Sequence, residues 1–130
     1  RFKQPLSIIA LDIDDFKIVN DEFGHANGDM VLVQMSRLLK KNIREIDLLA
    51  RWGGDEFMIL LPNTGLEAAA HTAEKLRQLI VDAKLDKRAT ITASFGVAQV
   101  RQGESAMRLS IRADNALYQS KDSGKNRISS

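Results

Sequence analysis

The chain opens on a short, nearly continuous apolar run, Leu6 to Ile13, the pattern of a central strand covered on both faces. That run ends in acid, at Asp12, Asp14 and Asp15. Phe16 to Asp21 follows, then Gly24-His25-Ala26-Asn27-Gly28-Asp29, and then a predicted helix from about Asp29 to Ile43 with Val31, Met35, Leu38 or Leu39, and Ile43 as its apolar stripe. Leu48-Leu49-Ala50 and Phe57-Met58-Ile59-Leu60-Leu61 flank Gly53-Gly54, which predicts a β-hairpin whose glycines supply the positive φ of its turn. Thr64-Gly65-Leu66-Glu67 reads as a capping box opening a core helix, with Leu66, Ala69, Ala73, Leu76, Ile80 and Ala83 inward and His71 on its polar, surface side. Thr90 to Val100 alternates, with Ile91, Ala93, Phe95 and Val97 on one face and Thr92, Ser94, Gly96 and Ala98 on the other. Ser105 to Ser123 is a further helix carrying Leu109, Ala113, Ala116 and Leu117 inward and stopped by Gly124, and Asn126-Arg127-Ile128 is a candidate last strand.

The predicted order is therefore β-α-β-β-α-β-α with a final short β. Its first six elements are the split-βαβ, ferredoxin-like arrangement, an α+β class with a mainly antiparallel sheet covered by helices. At 130 residues and 44% hydrophobic, the chain suits one domain, 1–130, with a proper core. No cysteine is present for a disulfide framework, and no apolar run reaches the ~18 residues of a membrane span. No signal-peptide pattern opens the sequence, so a cytoplasmic domain with no direct membrane contact is expected. Because Arg1 leads almost at once into a strand, we expect a domain excised from a longer protein, whose parent is free to be membrane-anchored. The 19 basic and 17 acidic residues leave +2, which neither demands nor excludes a nucleic-acid partner.

Candidate chemistry concentrates at two acidic places. If the first strand pairs with the hairpin, Asp12 meets Asp55-Glu56, and hard oxygen ligands from two strands with positions left open suit Mg²⁺ bound together with a nucleotide triphosphate. The alternative for Asp12, Asp14 and Asp15 is that they cap the next helix. Arg37, Lys40, Lys41 and Arg44 make a basic stripe at helical spacing.

The motifs Asp12-x-Asp14-x-Phe16-Lys17-x-x-Asn20-Asp21-x-x-Gly24-His25-x-x-Gly28-Asp29 and Gly53-Gly54-Asp55-Glu56-Phe57 resemble the GGDEF family, the diguanylate cyclases. The resemblance runs on through Ser94-Phe95-Gly96-Val97 and Ala113-Asp114-x-Ala116-Leu117-Tyr118-x-x-Lys121-x-x-Gly124-Lys125-Asn126, nearly the whole chain. It implies a nucleotide-cyclase-like fold, in which Asp12, Asp55, Glu56 and the Ile13 carbonyl hold Mg²⁺, or Mn²⁺ in its place. Asp12, Asp55 and Glu56 would be catalytic, Glu56 by metal binding or by deprotonating a 3′-hydroxyl. Phe16, Lys17, Lys121 and Lys125 would meet phosphates, Asn20 and Asp29 would read guanine, and His25, Gly53 and Gly54 would line the substrate. A carboxylate accepts from guanine N1 and N2 but faces an acceptor at adenine N1.

The implied reaction condenses two GTP into cyclic di-GMP and two pyrophosphates across a two-fold pair of domains. Arg44-x-x-Asp47, five residues before Gly53, resembles the family's product-inhibition site, with Lys75 as a helper; its alternative is an intrahelical ion pair. An N-terminal sensory or dimerising domain in the parent protein is a further implied partner, and the isolated domain is expected to be mostly monomeric. Lys125 stands where the family often has Arg, and the Leu-Thr and Asn-Arg elements that commonly precede the first strand do not occur here. The rival readings are a non-catalytic GTP- or cyclic di-GMP-binding regulatory module of the same fold and a polymerase-like palm. No aromatic-rich or extended basic surface favours the palm and its nucleic acid.

Overall fold

The computed structural model describes residues 4–130, so Arg1 and the two residues after it, part of the expected 1–130 domain, lie outside the described residues. The first apolar run is β1 (Leu6–Ile13), followed by α1 (Phe16–Phe23), α2 (His25–Lys41), β2 (Leu48–Arg51), β3 (Glu56–Pro62), α3 (Leu66–Ala83), β4 (Ala93–Gln99), α4 (Ala106–Asp122) and β5 (Ile128–Ser129). The sheet runs β2-β3-β1-β4-β5, with every pair antiparallel except β4 with β5. The hairpin inserts β3 between β1 and β2, the split-βαβ topology expected. Among the described residues no helix is long and apolar enough to cross a membrane.

The strand period sorts the two faces. Ile9, Leu11 and Ile13, with Phe57, Ile59, Leu61, Phe95 and Val97, pack against Val31, Met35 and Leu39 of α2 and Ala69, Ala73, Leu76 and Ile80 of α3. The opposite face carries Ala10, Met58 and Ala98 under Leu109, Ala113 and Leu117 of α4. Asp12 and Glu56 stand in the two-residue period of Ala10 and Met58, so they fall on the α4 side of the sheet. Gly96 lets α4 lie directly on β4, since a Cβ there would come 2.2 Å from both the Ala113 carbonyl oxygen and the Leu117 nitrogen.

Four expectations are corrected. The helix predicted from Asp29 begins at His25 and ends at Lys41, with Phe16–Phe23 a separate helix before it, so Arg44 lies beyond the helix and does not extend a helical basic stripe. Gly53 keeps a positive φ, at 159° near the extended limit, while Gly54 is not at positive φ, so only one of the two glycines behaves as predicted. Arg51 closes the tip, donating to the Gly54 carbonyl from Nε at 3.0 Å and Nη2 at 2.6 Å. The Thr64 capping box does not form: Gly65 is the N-cap of α3, Thr64 Oγ1 donates to the Pro62 carbonyl, and the Leu66 amide is satisfied by Gln99 Oε1 at 2.7 Å.

Candidate active site

β1 and β3 pair so that Asp12 stands opposite Glu56, and on its other side Asp12 stands opposite Ser94 of β4. The two acidic clusters therefore meet as the sequence predicts. α4 completes the site with two groups: Asp114 faces Glu56, and Lys121 reaches back over the end of β1. Its ammonium ion-pairs with Asp12 Oδ1, lies 2.7 Å from Asp14 Oδ1, and donates to the Ile13 carbonyl at 3.3 Å.

Asp14 is the anchor of this end of the molecule. Its buried carboxylate accepts from Thr92 Oγ1 at 2.6 Å, Ser94 Oγ at 2.6 Å and the Asn126 amide at 3.0 Å in addition to Lys121. Burial opposes its ionisation, but those donors outweigh the cost and hold it below the usual carboxylate range. Lys121 shows the converse balance: burial works against its charge, and Asp12 and Asp14 together raise its pKa. Asp15 is the N-cap residue of α1 at φ 55° yet makes no side-chain cap; its carboxylate pairs with Lys125 Nζ at 2.5 Å. The acids at the end of β1 are thus tied to the two lysines rather than spent on capping.

Asp12 and Glu56 are different. Asp12 Oδ1 is buried with the Lys121 ammonium as its partner, whereas Glu56 Oε2 and the facing Asp114 Oδ1 are buried with no hydrogen-bond donor. Burial raises Asp12 against the pull of Lys121. Glu56 is pushed up to about 8, first by burial, then by the facing Asp114 carboxyl, and then by the charges of Asp12 and Asp55. Buried carboxylate oxygens without donors are a costly arrangement that a bound cation would relieve. Asp12, Asp55, Glu56 and the Ile13 carbonyl are hard oxygens of the kind a divalent cation takes. Among the described residues no three His, Cys, Asp or Glu side chains are grouped so that they could hold a metal ion by themselves. Phosphate oxygens are the usual further ligands when Mg²⁺ travels with a nucleotide. Above the pair, a Cβ built on Gly53 or Gly54 meets nothing within 4 Å, leaving the hairpin backbone open.

The residues expected to read guanine stand on either side of the α1–α2 junction. Asn20 Oδ1 is buried without a partner, directly over Gly28, where a Cβ would come within 1.7 Å of it. Asp29 and His25 are exposed on the first two turns of α2, and Lys17 is exposed on α1, with Phe16 at its start half-buried. Sequence reasoning left Asp14, Asp114, Thr92 and Ser94 without roles; the acid at the end of an apolar strand was the available signal for Asp14.

A second cluster sits away from this site. Arg44 grips the buried Asp47 at 2.8 Å and donates from Nη2 to the Pro62 carbonyl at 2.8 Å and to Thr64 Oγ1 at 2.7 Å, in a turn rather than in a helix. A cavity of about 560 Å³ is lined by Lys41, Arg44, Asp47, Thr64, His71 and Lys75 among others. His71, expected to be plain surface, is exposed but lines this cavity.

A family profile described as "Diguanylate cyclase, GGDEF domain" matches residues 1–127. The chain is 42% identical over 130 residues to Diguanylate cyclase A of Treponema denticola, covering 97% of this chain and 35% of that protein. It is 40% identical to a diguanylate cyclase of Vibrio cholerae over 98% of this chain and 40% of that one. The chain thus spans between a third and two-fifths of the length of these relatives. Among solved structures, the active GGEEF domain of a diguanylate cyclase from Vibrio cholerae superposes with a TM-score of 0.91 at 39% identity, covering 97% of this chain and 82% of that one. The GGDEF domain of DgcB from Caulobacter crescentus in complex with c-di-GMP gives 0.91 at 32% identity, covering 97% and 77%.

Proposed function

Since this chain belongs to the diguanylate cyclase GGDEF domain family, we propose that it condenses two GTP into cyclic di-GMP and two pyrophosphates, each domain holding one GTP and meeting a two-fold related copy. The observation that carries this reading is the register of Asp12 against Glu56, with Asp12 held by Lys121 and Glu56 Oε2 buried without a donor, beside an open glycine tip. Asp12, Asp55, Glu56 and the Ile13 carbonyl are the residues that would hold Mg²⁺ or Mn²⁺. Bound there, the cation neutralises phosphate charge and lowers the pKa of the attacking hydroxyl.

The protein's own groups do the rest. Glu56 is half-buried with its Oε2 enclosed, and its pKa is pushed up to about 8, which suits it to accept the 3′-hydroxyl proton at Oε2. Lys121 and Lys125, paired with Asp12, Asp14 and Asp15, exchange those carboxylates for triphosphate oxygens, while Lys17 and the Phe16 backbone approach from α1. Gly53 and Gly54 keep side chains out of the path of the substrate. Asn20, freed of any internal partner, and Asp29 take the guanine edge, with His25 beside them. Only one nucleotide is served per domain, so the bound 3′-hydroxyl attacks the α-phosphate of GTP on the partner copy.

Incubation with GTP and Mg²⁺, with ATP as control, followed by chromatography tests the reading. We expect cyclic dinucleotide from GTP alone. Binding of GTP without product would instead support a regulatory module of the same fold. The cavity at Arg44, Asp47 and Lys75 favours a second role, feedback inhibition by cyclic di-GMP, because a guanidinium and a carboxylate there match a phosphate and a guanine edge. The remaining expected partners, a sensory or dimerising domain in the parent protein and its cytoplasmic setting, rest on the family alone.

A further inference from the structure

The loop between α3 and β4 touches both ends of the proposed GTP site. At one end Asn27 Nδ2, in the first turn of α2, donates to Asp86 Oδ2, and the other oxygen of this buried carboxylate accepts the Arg88 amide at 2.8 Å. Two residues on, the Arg88 guanidinium lies over the Phe23 ring, 4.3 Å from its centroid, at the last residue of α1. One loop therefore grips both sides of the Gly24 junction where α1 passes into α2. At its other end the same loop delivers Thr92, whose carbonyl accepts the Asp14 amide at 2.9 Å and whose hydroxyl donates to the Asp14 carboxylate.

Asn27 directly precedes Gly28, the glycine beneath Asn20, and Asp29 follows it. Fixing Asn27 thus fixes the two groups assigned to guanine, and Thr92 fixes the acid that moors Lys121. The α1–α2 pair is seated on the sheet by apolar contacts of Val19, Val31, Leu32, Met35 and Leu39, with Phe16, Phe23 and Leu38 packed against the same core, and the loop adds polar contacts on both sides of the Gly24 junction. Resting on the reading of this site as a GTP site, we propose that Asp86, through Asn27 and assisted by Arg88, is a positioning residue for guanine, holding the base-reading helices at a set distance from the phosphate end. It touches neither substrate nor metal, so its effect belongs in nucleotide binding rather than in the chemical step.

The test compares wild type, Asp86→Ala, Asn27→Ala, Arg88→Ala and the exchanged pair Asn27→Asp with Asp86→Asn, reading KM, kcat, calorimetric GTP affinity with Mg²⁺, and melting temperature. In the exchanged pair the new amide donates to the new carboxylate and still accepts the Arg88 amide, so the brace is rebuilt with its polarity reversed. We expect Asp86→Ala and Asn27→Ala to raise KM, or weaken GTP binding, by about tenfold with kcat within about twofold, and the exchanged pair to recover most of that loss. Arg88 is half exposed, so its removal is the variant least able to unfold the chain, and a smaller shift in the same direction is expected. Unchanged GTP affinity in Asp86→Ala and Asn27→Ala, or an exchanged pair as weak as the singles at an undiminished melting temperature, overturns the brace alone. Failure of wild type itself to bind GTP overturns the reading of the site, and the brace with it.

Discussion

Glu56 is the residue on which the chemistry and the stability of this domain meet. An isolated carboxyl of its kind titrates near 4.5, and in the fold it is held up to about 8 by burial and by the Asp114 carboxyl opposite. Between those two values the folded chain keeps a proton that the unfolded chain has lost, so Glu56 contributes stability that is present below about 4.5 and lost as pH rises to about 8. A cation bound to Asp12 and Glu56 must displace that proton at low pH but not at high pH. The stabilisation by Mg²⁺, read as a rise in melting temperature, is therefore expected to grow between pH 6 and pH 9. Glu56→Gln should flatten the metal-free decline over the same range and remove most of the Mg²⁺ response. An Mg²⁺ shift independent of pH, or one equal in Glu56→Gln, would separate Glu56 from the metal.

At the scale of elements, α4 decides whether the sheet carries a site at all. It brings Asp114 to Glu56 and Lys121 to Asp12 and Asp14, and its seat on β4 is backbone against backbone at Gly96. A methyl group there cannot be accommodated by rotating a side chain, because its neighbours are the Ala113 carbonyl and the Leu117 amide. Gly96→Ala should cost about 3 kcal/mol, a drop on the order of 10 °C in melting temperature, and should lower turnover even well below that temperature because Lys121 moves with the helix. Unaltered turnover in a folded Gly96→Ala would mean that α4 is not needed in register. This coupling explains what the sequence made legible. Strand and helix periods marked β1, the hairpin, β4 and α4, and pairing of β1 with the hairpin brought Asp12 to Glu56. What periodicity cannot carry is a partner dozens of residues away: Gln99 capping α3 in place of Thr64, Asp114 reaching Glu56, and Thr92 and Ser94 closing around Asp14.

At the scale of the molecule, the proposed GTP site and the proposed product site are separate places on one sheet scaffold. The Arg44–Asp47 pair is already satisfied internally, with Arg44 also bound to the Pro62 carbonyl and Thr64, so cyclic di-GMP would have to share or displace these contacts. Arg44→Ala should weaken cyclic di-GMP binding by about 10- to 100-fold in calorimetry while leaving GTP affinity near wild type; unchanged product affinity would remove the inhibitory role. On the proposed reading, the register of Asp12 against Glu56 supplies half of a reaction centre and a second copy supplies the other half. The most direct test is the initial rate of cyclic di-GMP formation from GTP and Mg²⁺ over a wide dilution series of the domain. The rate per monomer is expected to rise with concentration until pairing saturates; a rate per monomer constant across the series, or no cyclic dinucleotide at any concentration, would contradict the account.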